Sequence, residues 1–283
     1  MSSSQSVRRI VLILFSLSLL WLTEVLAENP LERGTYLVRS IAACGNCHTP
    51  KGPEGDLPGM ELAGMTYKDS EGKVIYQFPN ITPDQETGVG AWTDKQLAVA
   101  IREGIRPDGS VMKGIMPFDL YRQISDSDVK AIVAFIRSIP AVRNEISRPQ
   151  KAEGLSMTKD AAKLTVADIS RDDLVAYGAY LAGPMGHCIE CHTPGSHHNV
   201  DYANKLGAGG RVFPGPWGQS VSANITPTGL NRWTDEEIKT MISKGIRPDG
   251  SPMMPPMGYS YYADISSNDL DAIVAYLRSL PAR

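Results

Sequence analysis

Cysteine and phenylalanine are scarce in this 283-residue chain, at four and five residues. All four cysteines fall in two short clusters, Cys44/Cys47 and Cys188/Cys191, so there is no scattered set from which to build a disulfide framework. Charged residues make up only 21% of the sequence and the formal net charge is -3. Polybasic stretches are absent, which removes the electrostatic footprint that nucleic-acid binding needs. The sequence has one apolar run of consequence, Ile10 to Leu22, and its thirteen residues fall short of the roughly 20 that a membrane span requires. No serine–histidine pair, phosphate loop or paired-carboxylate arrangement stands out, so nothing points to nucleophilic or phosphoryl chemistry. Glycine (26) and proline (20), by contrast, are plentiful. That balance describes a loop-rich globular chain, thin on core unless something else fills its interior.

The apolar run has a context. Arg8 and Arg9 precede it, and Val25-Leu26-Ala27 follows, ahead of Glu28. A basic start, a short apolar stretch and an alanine at the end describe an export signal over residues 1–27, with an uncleaved anchor as the alternative. The mature protein is expected to be soluble and periplasmic, meeting a membrane only through a partner or an uncleaved signal.

A repeat runs through the rest. CGNCHTP at 44–50 returns as CIECHTP at 188–194, and Asn80-Ile81-Thr82-Pro83 returns as Asn224-Ile225-Thr226-Pro227, both offset by 144 residues. From Trp92-Thr93-Asp94 and Trp233-Thr234-Asp235 onward the offset is 141. It holds through GIRPDGS at 104–110 and 245–251, and through AIVAFIRSIP at 131–140 and AIVAYLRSLP at 272–281. The chain reads as two copies of one unit of about 110 residues, at 28–140 and 169–283, joined by a linker at 141–168.

Each copy announces three helices. Ser125 and Ser266 are hydroxyl N-caps, and behind them Val129, Ile132, Val133, Ile136 and Leu270, Ile273, Val274, Leu277 keep helical spacing up to Pro140 and Pro281. Thr93…Gln96 and Thr234…Glu237 are capping boxes opening a second helix. A third leads into each cysteine cluster, around residues 31–42 and 172–181, with Pro30 at a first-turn position. Nothing reads as a run of paired strands, so the expected fold class is all-α.

C-x-x-C-H is the attachment signature of a c-type haem. Two thioethers must reach the two vinyl groups of one porphyrin, and the histidine that follows is then held beneath the iron. A zinc site would need a further ligand for each cluster, and a thioredoxin-like dithiol would sit beside a βαβ pattern; neither is available. The candidate haem anchors are therefore Cys44, Cys47, Cys188 and Cys191, with His48 and His192 as iron ligands. Two covalent haems also supply the apolar surface that the composition lacks. The other iron face has two aligned pairs of candidates, Met112 with Met253 and Met116 with Met257. The second pair is favoured because each lies in an aromatic-bearing loop, MPF at 116–118 and MGY at 257–259, before the last helix. Trp92 and Trp233 lie against haem or plug the core. His187 aligns with Ala43 and stands outside the shared plan, as does the His197-His198 pair.

C-x-x-C-H-T-P, N-I-T-P…W-T-D, G-I-R-P-D-G-S, the M-P-F or M-G-Y loop and the final A-[FY]-[IL]-R-S-[IL]-P helix together resemble a dihaem c-type cytochrome. The sequence is similar to the cytochrome c subunits of bacterial membrane-bound alcohol and gluconate dehydrogenases, across nearly all of the chain after residue 27 except the linker. The resemblance implies two class I cytochrome c-like domains in tandem and methionine as the sixth ligand, Met116 directly and Met257 across a change from Pro117 to Gly258. Gly34 and Gly178 then mark where the first helix crosses the last, near Phe135 and Tyr276. It also implies an electron carrier, not an enzyme, passing single electrons between redox protein partners such as a dehydrogenase subunit and a terminal acceptor. Alternatives are a peroxidase-like or thiosulfate dehydrogenase-like dihaem enzyme with an exchangeable iron ligand, and a docking subunit that organises a dehydrogenase complex.

Overall fold

The computed structural model describes residues 28–68, 71–112, 115–147, 165–196, 199–215 and 217–283. The expected export signal at 1–27, residues 148–164 of the expected linker and His197-His198 lie outside the described residues.

In the first half, α1 (Pro30–Arg39) leads into α2 (Cys44–His48). Two hairpins follow, β1 (Lys51–Gly52) with β2 (Gly55–Asp56) and β3 (Met65–Lys68) with β4 (Val74–Phe78), then α3 (Asp94–Glu103), α4 (Phe118–Tyr121) and α5 (Asp126–Ser138). The second half repeats the order. In it α6 (Leu174–Tyr180) continues as a π-helical turn, Leu181–Met185, into α7 (Cys188–Cys191). The hairpin of β5 (Gly195–Ser196) and β6 (Asn199–Val200) comes next, then α8 (Tyr202–Lys205) and the hairpin of β7 (Val212–Gly215) and β8 (Gly218–Val221). The half closes with α9 (Pro227–Leu230), α10 (Asp235–Lys244), α11 (Tyr259–Tyr262) and α12 (Ser267–Ser279).

The fold is mostly helical, but the four antiparallel hairpins correct the all-α expectation. Their strands are two to five residues long. That is too short for alternation to show in the sequence. The helix signals behave as expected. Ser125 and Ser266 cap α5 and α12 by accepting from the Asp128 and Asp269 amides, and both capping boxes close on α3 and α10. Pro30 occupies the first turn of α1, and its N-cap Asn29 accepts from the Leu31 amide.

The main packing unit in each half is the first long helix against the last, α1 on α5 and α6 on α12. The apolar positions expected on α5 and α12 are all buried. Each aliphatic side chain withdrawn there contributes on the order of 1.5–3 kcal/mol. Glycine permits the crossing. A Cβ at Gly34 would lie 1.9 Å from the Ala131 carbonyl oxygen, and one at Gly178 would lie 1.8 Å from that of Ala272. Phe135 and Tyr276 are the next neighbours, at 3.0 and 2.9 Å.

The arginine near the end of the last helix explains why R-S and W-T-D recur together. Arg137 donates to the carbonyls of Val89 and Trp92 and to the Asp94 carboxylate. Arg278 does the same with Leu230, Trp233 and Asp235. Each RPDGS stretch is a turn former, with the Asp108 and Asp249 carboxylates accepting from the Ser110 and Ser251 amides.

The halves meet through reciprocal bonds. The Tyr36 hydroxyl donates to Asp269 at 2.7 Å and accepts from the Ser266 amide at 3.2 Å. Tyr180, its repeat equivalent, donates to Asp128 at 2.7 Å and accepts from the Ser125 amide at 3.2 Å. One contact set is thus used twice, as at an isologous interface.

Candidate functional site

Each cysteine cluster is one helical turn entered through a left-handed residue, Ala43 (φ 44°) or His187 (φ 42°). Non-glycine residues in that region carry a backbone cost on the order of 1–3 kcal/mol and persist where the surroundings demand them. Here the reversal sends the chain sharply from α1 or the π-turn into the cluster, and Cys44, Cys47 and His48, or Cys188, Cys191 and His192, follow within five residues.

Both histidines are held in the same way. His48 Nδ1 lies 2.8 Å from the Pro79 carbonyl and His192 Nδ1 lies 2.7 Å from that of Ala223. A carbonyl only accepts, so Nδ1 carries the proton and Nε2 presents its lone pair. Burial lowers the pKa of both rings, against the opposing pull of those carbonyls. Both imidazoles are therefore neutral at neutral pH, the state in which an imidazole can ligate a metal. The remaining contacts fix the ring by fixing the chain around it. Thr49 and Thr193 are buried and accept from the amides of Leu62 and Gly207, both at 3.0 Å. The His48 and His192 carbonyls accept from Gly64 and Gly209, both at 2.7 Å.

N-I-T-P positions the accepting carbonyl. Asn80 Oδ1 accepts from the Thr82 amide and hydroxyl, and Asn224 Oδ1 accepts from those of Thr226. The turn thereby anchors the residue just before it, Pro79 or Ala223. The accepting carbonyls come 31 residues beyond each histidine. The signal for these residues lay in the repeat: threonine after each histidine and asparagine after each acceptor recur in both copies.

Burial raises all four thiols, Cys44 and Cys191 to about 12 and Cys47 and Cys188 to about 11. A dithiol switch has the opposite character, a thiol pKa lowered toward neutrality. All four cysteines are free of disulfides. Among the described residues no three His, Cys, Asp or Glu side chains gather into a metal cluster. The donor set in each half is thus two half-buried thiols and one oriented, neutral imidazole on a single turn. It fits covalent haem.

The methionine loops share one backbone. The Phe118 amide donates to the Met116 carbonyl at 2.9 Å and the Tyr259 amide to that of Met257 at 3.0 Å. Each aromatic ring packs on the left-handed glycine that ends the preceding helix, Gly104 or Gly245. Pro117 has φ -84° and Gly258 has φ -82°, so the second loop keeps the proline geometry without the proline. Met112 and Met253 are held elsewhere, their amides donating to the Gly104 and Gly245 carbonyls at 2.7 Å. Burial does not separate the pairs, since Met116 and Met253 both pack on the core. Trp92 and Trp233 are half-buried against the same core. His187 is a contact between the halves, its ring edge-on to Tyr121 at 6.0 Å.

Two C-x-x-C-H clusters in a mostly helical frame are the mark of a c-type cytochrome. The chain belongs to the family described as cytochrome c oxidase, cbb3-type, subunit III, which it matches over residues 29–136 and 175–277. It is 32% identical to the fructose dehydrogenase cytochrome subunit of Gluconobacter japonicus, over 92% of this chain and 55% of that one. It is 31% identical to the cytochrome c subunit of the quinone alcohol dehydrogenase of Gluconobacter oxydans, over 90% and 55%. A diheme cytochrome c-type protein of Cereibacter sphaeroides is 27% identical over 93% of each. The chain spans about half the length of the dehydrogenase cytochrome subunits.

Proposed function

We propose that this chain is an exported, periplasmic dihaem cytochrome c built as two tandem domains, 28–140 and 169–283. It carries single electrons from a dehydrogenase or other donor to a respiratory acceptor. Cys44 and Cys47 anchor one haem and Cys188 and Cys191 the other. His48 with Met116, and His192 with Met257, hold the two irons. The observation that carries this reading is the duplicated histidine geometry: two imidazoles, half-buried at His48 and buried at His192, each with Nδ1 tied to a backbone carbonyl and two thiols on the same turn.

Bound haem supplies an iron that takes up or gives back one electron. The chain's own residues do the rest. His48 and His192 are kept neutral and fixed in rotation, which strengthens them as donors. The core around each cluster excludes water, so little needs to reorganise as the charge changes. Relatives named as cytochrome subunits of fructose and alcohol dehydrogenases support a dehydrogenase as donor. Among the described residues no helix is long and apolar enough to cross a membrane, so attachment to a membrane partner is assigned to docking or to the N-terminal segment.

Visible spectra test the ligands. The weak methionine–iron band at the red end is expected in the oxidised protein, reduced in Met116→Ala and in Met257→Ala and kept in Met112→Ala and Met253→Ala. Rapid carbon monoxide binding by the reduced wild-type protein would overturn six-coordination and favour the enzymatic alternative.

A further inference from the structure

The two haem motifs differ in charge at one position: CGNCH has Asn46 where CIECH has Glu190. Glu190 is buried against Arg211, their side chains 7% and 8% exposed. Arg211 Nη1 lies 3.5 Å from Glu190 Oε1 and donates to the Glu190 main-chain carbonyl at 2.7 Å. The guanidinium also lies 5.2 Å from the Phe213 ring. Among the described residues the first half has no such pair, its aligned positions being Asn46 and Thr66. Gly64 meets His48 as Gly209 meets His192, and two residues on the chain has Thr66 in one half and Arg211 in the other.

Glu190 belongs to the second cluster and is close enough to the first for its charge to be felt there. Its charge acts on Cys191 of its own motif, on Cys47 of the other, and on the buried Tyr121 of the first half. A buried ion pair contributes little net stability compared with apolar side chains of similar volume. Its placement inside a haem-attachment turn gives it another use.

We infer that Glu190 and Arg211 form a positioned charge pair that sets the reduction potential of the second haem and, more weakly, of the first. The inference rests on the haem reading above. One electron from a reduced partner converts ferric to ferrous iron and removes one positive charge, with no proton moved. A carboxylate favours the ferric form and a guanidinium the ferrous form, so as a pair they nearly cancel. Removing one exposes the other.

The test is a spectroelectrochemical titration of the exported holoprotein, with covalent haem content measured first on each variant. Glu190→Gln is expected to raise the potential and Arg211→Gln to lower it. Each shift is roughly tenfold in the ferric/ferrous equilibrium constant, or about 59 mV for a one-electron couple. The double variant returns close to the wild-type value. Asn46→Glu, placed in the first half, lowers a potential and serves if Arg211→Gln fails to fold. Shifts of the same sign in both single variants, or unchanged potentials at full haem content, overturn the inference and leave the haem reading intact. A wild-type chain without covalent haem overturns both.

Discussion

The first and second halves hold the cysteine turn, the histidine, its carbonyl, the threonine, the asparagine turn and the arginine latch in the same places, yet differ where they touch each other. In the first half Asp128 is bound by Tyr180 from across the interface and by Arg33 from its own half, through Nε at 2.8 Å and Nη2 at 3.0 Å. In the second half the residue aligned with Arg33 is Tyr177, and Asp269 takes Tyr36. Burial works against the Arg33 charge, but Asp128 outweighs it and pushes the guanidinium pKa further up. Lys51, Asp56 and Tyr261 add another one-sided bridge, where Lys51 donates to the Tyr261 hydroxyl at 2.7 Å. What the copies share builds the cysteine–histidine turn and the reciprocal tyrosine–aspartate contacts, and what they do not share, Arg33 and the Lys51–Tyr261 bridge, makes the junction between them unequal.

The comparison can be broken hardest at the anchors. Replacing Cys44 and Cys47 by alanine is expected to remove one haem and unfold the first half, while Cys188→Ala with Cys191→Ala removes the other. Absorbance and circular dichroism should each fall by about half, because each haem is expected to complete the packing of its own half. Loss of both haems from either double variant would show that the halves do not fold separately.

Asp128→Ala and Asp269→Ala probe the asymmetry at the interface. The first strands a buried guanidinium and is expected to cost about 3–5 kcal/mol. The second loses a tyrosine hydrogen bond and should cost about 1–2 kcal/mol. Denaturant unfolding measures both, and equal costs would remove the special role of Arg33. Gly34→Ala and Gly178→Ala sharpen the likeness instead, since each new Cβ meets a backbone carbonyl. Both should lose about 3 kcal/mol, and a difference between them would mean that one crossing can open. The smallest effect belongs to Gly258→Pro. Its φ already suits proline, so a gain of about 0.5 kcal/mol in thermal unfolding is expected, with the methionine–iron band kept.

Much of this was legible before any coordinates. The serine caps, the capping boxes and the stripes of α5 and α12 follow from spacing and from the repeat, and the crossing glycines from the family resemblance. The hairpins did not show, because two-residue strands such as Lys51–Gly52 have no period to read. Nor did the histidine's partner, because a backbone carbonyl carries no residue identity: proline supplies it at 79 and alanine at 223. The interface was hidden for a different reason. Tyr36 and Tyr180 recur like any core residue, and only the arrangement of the halves shows that each reaches across to the other copy's aspartate. In the sequence Glu190 is one difference among many between the two copies, and only its burial against Arg211 sets it apart.

The central claim is that each half of this chain carries its own covalent haem. Intact mass together with the pyridine haemochrome spectrum of the exported protein tests it most directly. Two thioether-bound haems per chain is the expected result. A chain with one haem, or with none, contradicts it.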